Sequence, residues 1–436
     1  MVCSACRFDS IRALRMIENI HSKFYEDDSK DNVGVIGCKS KTGNSKNMKQ
    51  GEGNMERCPI CGSSFREAER ICSACGYDAS VDWTRYPTFV YVKTIQNVSL
   101  KKKTESTMNA QEVQQRVQER IRKIQTEKQE RVQKSERNYE LEEVEKPRKG
   151  LHFVEKGVCG TSATWTLYAN GVMWIKGEGA MRNYNRFGAL ITNMPWKKFR
   201  DKITAVVIDK GITTVGSCAF LECENLSRIW IDDTVQELCD WAFSDCKNLR
   251  AVRMSSRTQS IGYSAFLNCE SLADIRLPQT LQAIKSIAFE NNKALEYIDI
   301  PAGVTSIGAG AFSKCSLETV MLPEKIERLE DRVFEGCTKL RNVSLPNEIK
   351  HIGWKAFSGC RSLRQIVIPA SVSKIKTCAF EYCTKLETVV IQGENCEIKT
   401  CAFGNCRSLK TVVLQGENCK IENGAFRNCP ANIYWE

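Results

Sequence analysis

Histidine is nearly missing from this chain: its 436 residues hold three, His21, His152 and His351, in unrelated segments. No Gly-rich phosphate loop or nucleophile motif accompanies them, so the groups that acid–base or nucleophilic catalysis requires are not brought together. The chain reads as a non-enzyme. No run of 18 apolar residues occurs either, which excludes a transmembrane helix. The first residues lack the continuous apolar stretch of a secretion signal, and a cytoplasmic protein with no membrane partner is expected. Glycine and proline are both absent from Lys101 to Lys146, so nothing there interrupts a helix.

What is abundant is periodic. An Ala-Phe pair, once Val-Phe, recurs ten times, at Phe220, Phe243, Phe266, Phe289, Phe312, Phe334, Phe357, Phe380, Phe403 and Phe426, every 23 residues except for one step of 22. Such a period marks a solenoid, whose units cover their apolar faces only by stacking. Within one unit, Leu272, Ile275 and Leu277 take the Leu-x-x-Leu-x-Leu spacing of an alternating strand, and Pro278 ends it. A return turn carrying aliphatics follows, and the Ala-Phe-x-x-Cys segment is expected as a helical or 3₁₀ turn on the convex side. Asn292 stands where a Cys is expected. One residue is missing between Phe312 and Leu317, which predicts a kink or bulge.

The unit Ile-Gly-x-x-Ala-Phe-x-x-Cys-x-x-Leu-x-x-Ile-x-Leu-Pro resembles the BspA-type leucine-rich repeats over about residues 151–436. The resemblance implies a curved α/β solenoid of ten repeats and a binding role; since many proteins of that type are surface adhesins, an adhesin is the alternative to an intracellular scaffold. Ahead of the repeats, two alternating runs flank Asn170-Gly171, a hairpin signal. A hairpin there would cap the first apolar face. The last run, Ile433-Tyr-Trp435-Glu436, leaves no sequence for a separate cap and is expected to close the stack itself or be covered by a partner.

Cysteine is plentiful, at 23, and falls into two populations. Nine share one repeat position: Cys223, Cys246, Cys269, Cys315, Cys337, Cys360, Cys383, Cys406 and Cys429. Each is expected as a small buried filler, although stacking at ~5 Å leaves bridging open on distance alone. The others that matter are Cys58-Pro-Ile-Cys61-Gly and Cys72-Ser-Ala-Cys75-Gly. Two such knuckles can surround one tetrahedral Zn²⁺ with four thiolates, a closed and therefore structural site. They resemble a short zinc ribbon; a redox-active pair is the competing reading. Cys3, Cys6 and Cys38 stay unassigned.

The expected organisation is an N-terminal extension (1–54), a zinc ribbon (55–80), a linker (81–100), a charged helix or weak coiled coil (101–149), a β-hairpin cap (150–200) and the solenoid (201–436). Net charge is +11 but spread through all segments, which favours acidic partners without specifying nucleic acid; binding of DNA or RNA through the ribbon is a further alternative. Function is expected on outward strand positions, where protein partners would dock. Arg228, Trp230, Arg253, Arg276, Tyr297 and Asp299 supply interface-type anchors. Val367, Val390 and Val413 form a row that is either a self-association patch or plain β-propensity.

Overall fold

In the computed structural model the described residues are 152–187 and 190–435, with the backbone of Met55–Arg57, Ser64–Arg66 and Leu100–Lys102 and nine helical residues between 115 and 127. The chain divides into two compact units, Met1–Lys93 and Thr94–Glu436. In the first, Met55–Arg57 pairs antiparallel with Ser64–Arg66. The ribbon cysteines lie outside the described residues, as does most of the segment 101–149. Lys101 and Lys102, expected at the start of a charged helix, are instead in a strand.

The second unit is a parallel β-solenoid of about ten turns. Most turns contribute two strands. The Leu-x-x-Ile-x-Leu stretch forms one, as in Arg228–Ile231, Ala251–Arg253 and Asp274–Ile275, paired in parallel at the repeat offset. The aliphatic return segment forms a second, two-residue strand, as in Glu237–Leu238, Ser260–Ile261 and Ala283–Ile284. Between the two lies the proline turn, whose carbonyl accepts a bond from three residues on: Leu281 N–H to Pro278 O is 3.0 Å, and Val304 N–H to Pro301 O is 3.0 Å. The apolar positions of both strands point inward onto the phenylalanines, which are fully buried from Phe220 to Phe403.

The Ala-Phe segment corrects the expectation of an α/β repeat. No helix occupies it in any of the ten turns; the backbone makes successive tight turns instead. The residues two before and two after every Phe are left-handed, Ser264 (φ 52) and Asn268 (φ 58) among them, and a right-handed helix cannot pass through such positions. The reason is visible in the hydrogen bonds. Ala265 and Leu267 donate backward within their own turn, to Gly262 and Ser264, while Ser264, Phe266 and Asn268 donate to Ser286, Ala288 and Glu290 of the next turn. Alternate N–H groups are thus committed to the neighbouring coil, which leaves no i→i−4 ladder to form. The solenoid is therefore mostly strand and turn.

Down its axis the phenylalanines stack face to face. Successive centroids from Phe220 to Phe426 are 5.0 to 5.7 Å apart, with interplanar angles of 15° or less. Trp196 continues the column beyond Phe220 at 5.7 Å, and Trp165 and Tyr184 meet its edge at 5.5 Å each. Its indole N–H donates to Ala219 O (2.9 Å). Gly160–Tyr168 and Val172–Met181 make the hairpin over this end, with Gly171 (φ 84) in the left-handed region that the Asn-Gly turn needs. The long strand Val172–Met181 serves both sheets: its first half pairs with Ala205–Ile208 and its last residues with Ile212–Val215.

The strand ladders are interrupted near the missing residue at Cys315, and the long-strand ladder again between Asn342–Ser344 and Gln365–Ile368. The sheet that begins at the cap stops at Ser306–Ile307, new sheets start at Thr319–Met321 and Arg328–Leu329, and Tyr297–Ile300 forms no strand. The aromatic column runs on regardless, with Phe312 and Phe334 5.7 Å apart at 6°. At the far end, Asn432–Trp435 pairs with Thr411–Leu414 on one side and with Leu100–Lys102 on the other. The last edge is therefore covered by this chain itself, a third outcome beside the two expected.

Candidate functional site: the strand face and the thiol ladder

The outward positions of the long-strand sheet form rows across the turns. In the first row Trp174 lies beside Val207, Val207 beside Trp230, and Trp230 beside Arg253. The Arg253 guanidinium sits 4.2 Å from the Trp230 ring centroid, and Lys176 Nζ sits 3.6 Å from that of Trp174. Arg253 is held there by Ile231 O at 3.0 Å and by the carboxylate of Asp233 at 4.0 Å. Asp233 accepts a bond from Ser256 N–H (2.8 Å), and this bond chiefly keeps its carboxyl below the ordinary range. Val172, Tyr168 and Ala205 pack beside this row, which has a cation stacked on each of its tryptophans. Arg228 is exposed on the same strand as Trp230, while Arg276, Tyr297 and Asp299 are half-buried further along the face.

Two members of this strip, Trp174 and Val207, were not singled out from the sequence. The signal was present, because the second arm of the hairpin carries the same alternation as the repeats. Reading it only as a cap hid the fact that it is the first strand of the face.

The valine row behaves differently from its expected outward role. Val390 and Val413 are 1% and 3% exposed and pack against each other and against half-buried Val367. In-register pairing sets Val367, Val390 and Val413 side by side, and β-branched neighbours on one face close over each other. Two of the three are thus core-like, as Val207 and Trp174 of the first row are at 6% and 9% exposure; what the first row adds is the half-buried Trp230–Arg253 pair.

The repeat-position cysteines do more than fill space. Each thiol from Cys246 to Cys429 donates to the carbonyl of the Phe in the preceding turn: Cys246 to Phe220 O at 3.1 Å, Cys337 to Phe312 O at 3.1 Å and Cys360 to Phe334 O at 3.2 Å, for example. Asn292 confirms the role by substitution, since its Nδ2 reaches the equivalent Phe266 O at 3.0 Å and also Phe289 O at 2.6 Å. Its Oδ1 is buried without a partner. Burial pushes the Cys223 and Cys337 thiols up to about 12. The described cysteines are free, so the bridging that distance alone left open does not occur.

Among the described residues no three His, Cys, Asp or Glu side chains are grouped to hold a metal, and no helix is long and apolar enough to cross a membrane. A shallow cavity of about 240 Å³ is lined by Arg341, Ser362, Arg364 and Lys385.

A family model described as a BspA type leucine-rich repeat region matches residues 197–318 and 305–432, more than half of the chain. No curated protein sequence matches it. A leucine-rich repeat protein from Eubacterium ventriosum has 22% identity over 63% of this chain and 95% of its own, with a TM-score of 0.33. One from Bacteroides ovatus has 22% identity over 63% and 77%, with a TM-score of 0.42. The T. pallidum leucine-rich repeat protein has 26% identity over 50% and 90%, with a TM-score of 0.36. Scores this low carry no argument about this chain.

Proposed function

Because the chain belongs to the BspA-type leucine-rich repeat family, we propose that it is a non-enzymatic scaffold that binds protein partners on the outward face of its long-strand sheet. The observation that carries this reading is the half-buried Trp230–Arg253 pair on the outward face, in register with Val207 and Trp174, which at 6% and 9% exposure support it from one side, with Lys176 stacked on Trp174. Large, stiff aromatic side chains next to arginine are what interface hot spots are made of. A partner would lay an apolar anchor on the strip and present carboxylates to the flanking cations. The 240 Å³ cavity is small for a substrate pocket and brings no catalytic group with it.

The test is an affinity purification with the full chain, repeated with Trp230→Ala and Arg253→Ala together. Partners held by the strip are lost from the double variant while its circular dichroism stays unchanged. Undiminished capture by the folded variant removes the strip as the site.

The ribbon segment is proposed as a second, structural element, with Cys58, Cys61, Cys72 and Cys75 as ligands of one Zn²⁺. The antiparallel pairing of Met55–Arg57 with Ser64–Arg66 supports this reading, since it brackets Cys58 and Cys61 and brings the two sides of that knuckle together. Bound zinc would supply the cross-link that so short a segment lacks in core. Metal analysis should give a single zinc per chain, lost on Cys72→Ser; a metal-free protein with the same protease resistance in that segment contradicts it.

A further inference from the structure

Cys378 and Cys401 stand outside the thiol ladder. They occupy one repeat position in adjacent turns, two residues before Phe380 and Phe403, on left-handed backbone (φ 58 and 55). Both are half-buried, whereas most of the ladder cysteines are fully enclosed. Cys378 N–H donates to Thr400 O at 3.3 Å and Cys401 N–H to Gly424 O at 3.1 Å, so the two residues sit side by side across one coil step. Turns that pair as parallel strands bring equivalent Cα atoms to ~5 Å, within the range that a disulfide spans. The two thiols interact across that step, Cys378 donating toward Cys401.

The surroundings are unequal. On the far side of Cys401 the equivalent residue is Gly424, where an added Cβ would touch only Thr400 Cγ2, at 3.9 Å, so that flank is open. Arg427 places its positive charge near Cys401, and the Glu381 carboxylate lies within hydrogen-bonding reach of Cys378. The bond donated by Cys378 brings Cys401 down to about 7, while the same bond, burial and Glu381 push Cys378 up. A half-buried thiol whose ionised form is favoured, beside one whose ionised form is disfavoured, is the arrangement of a reactive and a resolving cysteine.

We propose that Cys378 and Cys401 are a hydroperoxide-oxidised dithiol that closes to a disulfide between adjacent turns. Cys401 thiolate attacks one peroxide oxygen; the S–O bond forms, the O–O bond breaks, and the departing hydroxide takes a proton from solvent to leave as water. Cys378 then gives its proton to Glu381 or solvent and attacks the sulfenic sulfur. The S–S bond forms, the S–O bond breaks, and the hydroxyl leaves with a proton as water. One hydrogen peroxide is reduced to two waters as two thiols become one disulfide.

The reduced full-length protein is treated with hydrogen peroxide near neutral pH, alkylated, digested without reductant and mapped by mass spectrometry. A peptide pair linked through Cys378 and Cys401 is expected, together with alkylation of Cys401 before oxidation roughly fivefold faster than that of half-buried Cys239, whose thiol is pushed up to about 11 chiefly by burial. Cys378→Ser should leave Cys401 as a sulfenic acid trapped by dimedone, and Cys401→Ser should leave Cys378 reduced. The idea is overturned if both thiols of the wild type stay alkylatable at a peroxide dose that oxidises Cys239. It is equally overturned if Cys401 links to other cysteines instead. Both readouts come from the wild type and do not depend on the folding of a variant.

Discussion

Asn292 is the residue at which the chemistry of the thiol ladder can be weighed. It reproduces the donor that cysteine provides but brings a carbonyl oxygen that has no partner in the core. An orphaned buried acceptor costs about 1–3 kcal/mol, so Asn292→Cys should stabilise the protein by about 1 kcal/mol, read as a higher urea midpoint. Asn292→Asp, which turns a carboxylate toward the Phe266 and Phe289 carbonyls, should destabilise it strongly. Equal midpoints for all three would mean that the thiol bond contributes nothing. The same burial predicts a response to alkali. Cys223 and Cys337 ionise near 9.0 when exposed and at about 12 in the fold, so the unfolded chain releases their protons first. Stability is then complete below about pH 9 and is lost as pH rises toward the folded value. Urea midpoints measured from neutral to alkaline pH should stay level and then fall, and Cys337→Ala should soften the fall.

At the scale of the element, the sheets were legible and the turns were not. Leu272, Ile275 and Leu277 announce an inward-facing strand by spacing alone, and the repeated Phe announces a buried column. The Ala-Phe segment misled because its left-handed positions are filled by Trp241, Ile287, Lys355 and Cys378 as readily as by Gly310 or Asn405. Glycine and asparagine mark such backbone in a sequence. Here the bonds to the next coil hold it whatever the side chain, so the marker is diluted. The strip on the outward face was half legible: Trp230 and Arg253 stood out, whereas Trp174 depended on knowing that the hairpin shares a sheet with the repeats. The strand Leu100–Lys102 carried no signal, since two of its three residues are lysine and its partner is distant in sequence. It covers an edge that would otherwise template pairing with another chain. Leu100→Pro with Lys102→Pro in the full chain should therefore produce concentration-dependent self-association in sedimentation velocity. A variant that sediments as the wild type does at every concentration would show the covering strand to be dispensable.

For the molecule as a whole, both strand ladders lapse around residues 297–319, while the turn segment keeps its backbone bonds across the break, as from Phe312 N–H to Val333 O at 3.0 Å, and the aromatic core runs on. Opening a stretch that belongs to no strand ladder costs less than opening the sheet around it. Hydrogen exchange should accordingly be faster at Tyr297–Ile300 than at Arg228–Ile231, with protection recovering beyond Thr319. Uniform protection through that stretch would mean that the shortened repeat is as firmly held as the rest. The deletion between Phe312 and Leu317 was plain in the sequence; that it interrupts sheets while sparing the aromatic column follows from stacking, which needs only the ring positions to be kept.

The pairing of Leu100–Lys102 with Ile433–Trp435 also sets an order of events during synthesis. About 330 residues separate the two strands, among the longest loops this fold has to close. The early strand emerges from the ribosome first yet has nothing to bind until Asn432–Trp435 is made, so up to that point the growing stack ends in an open edge.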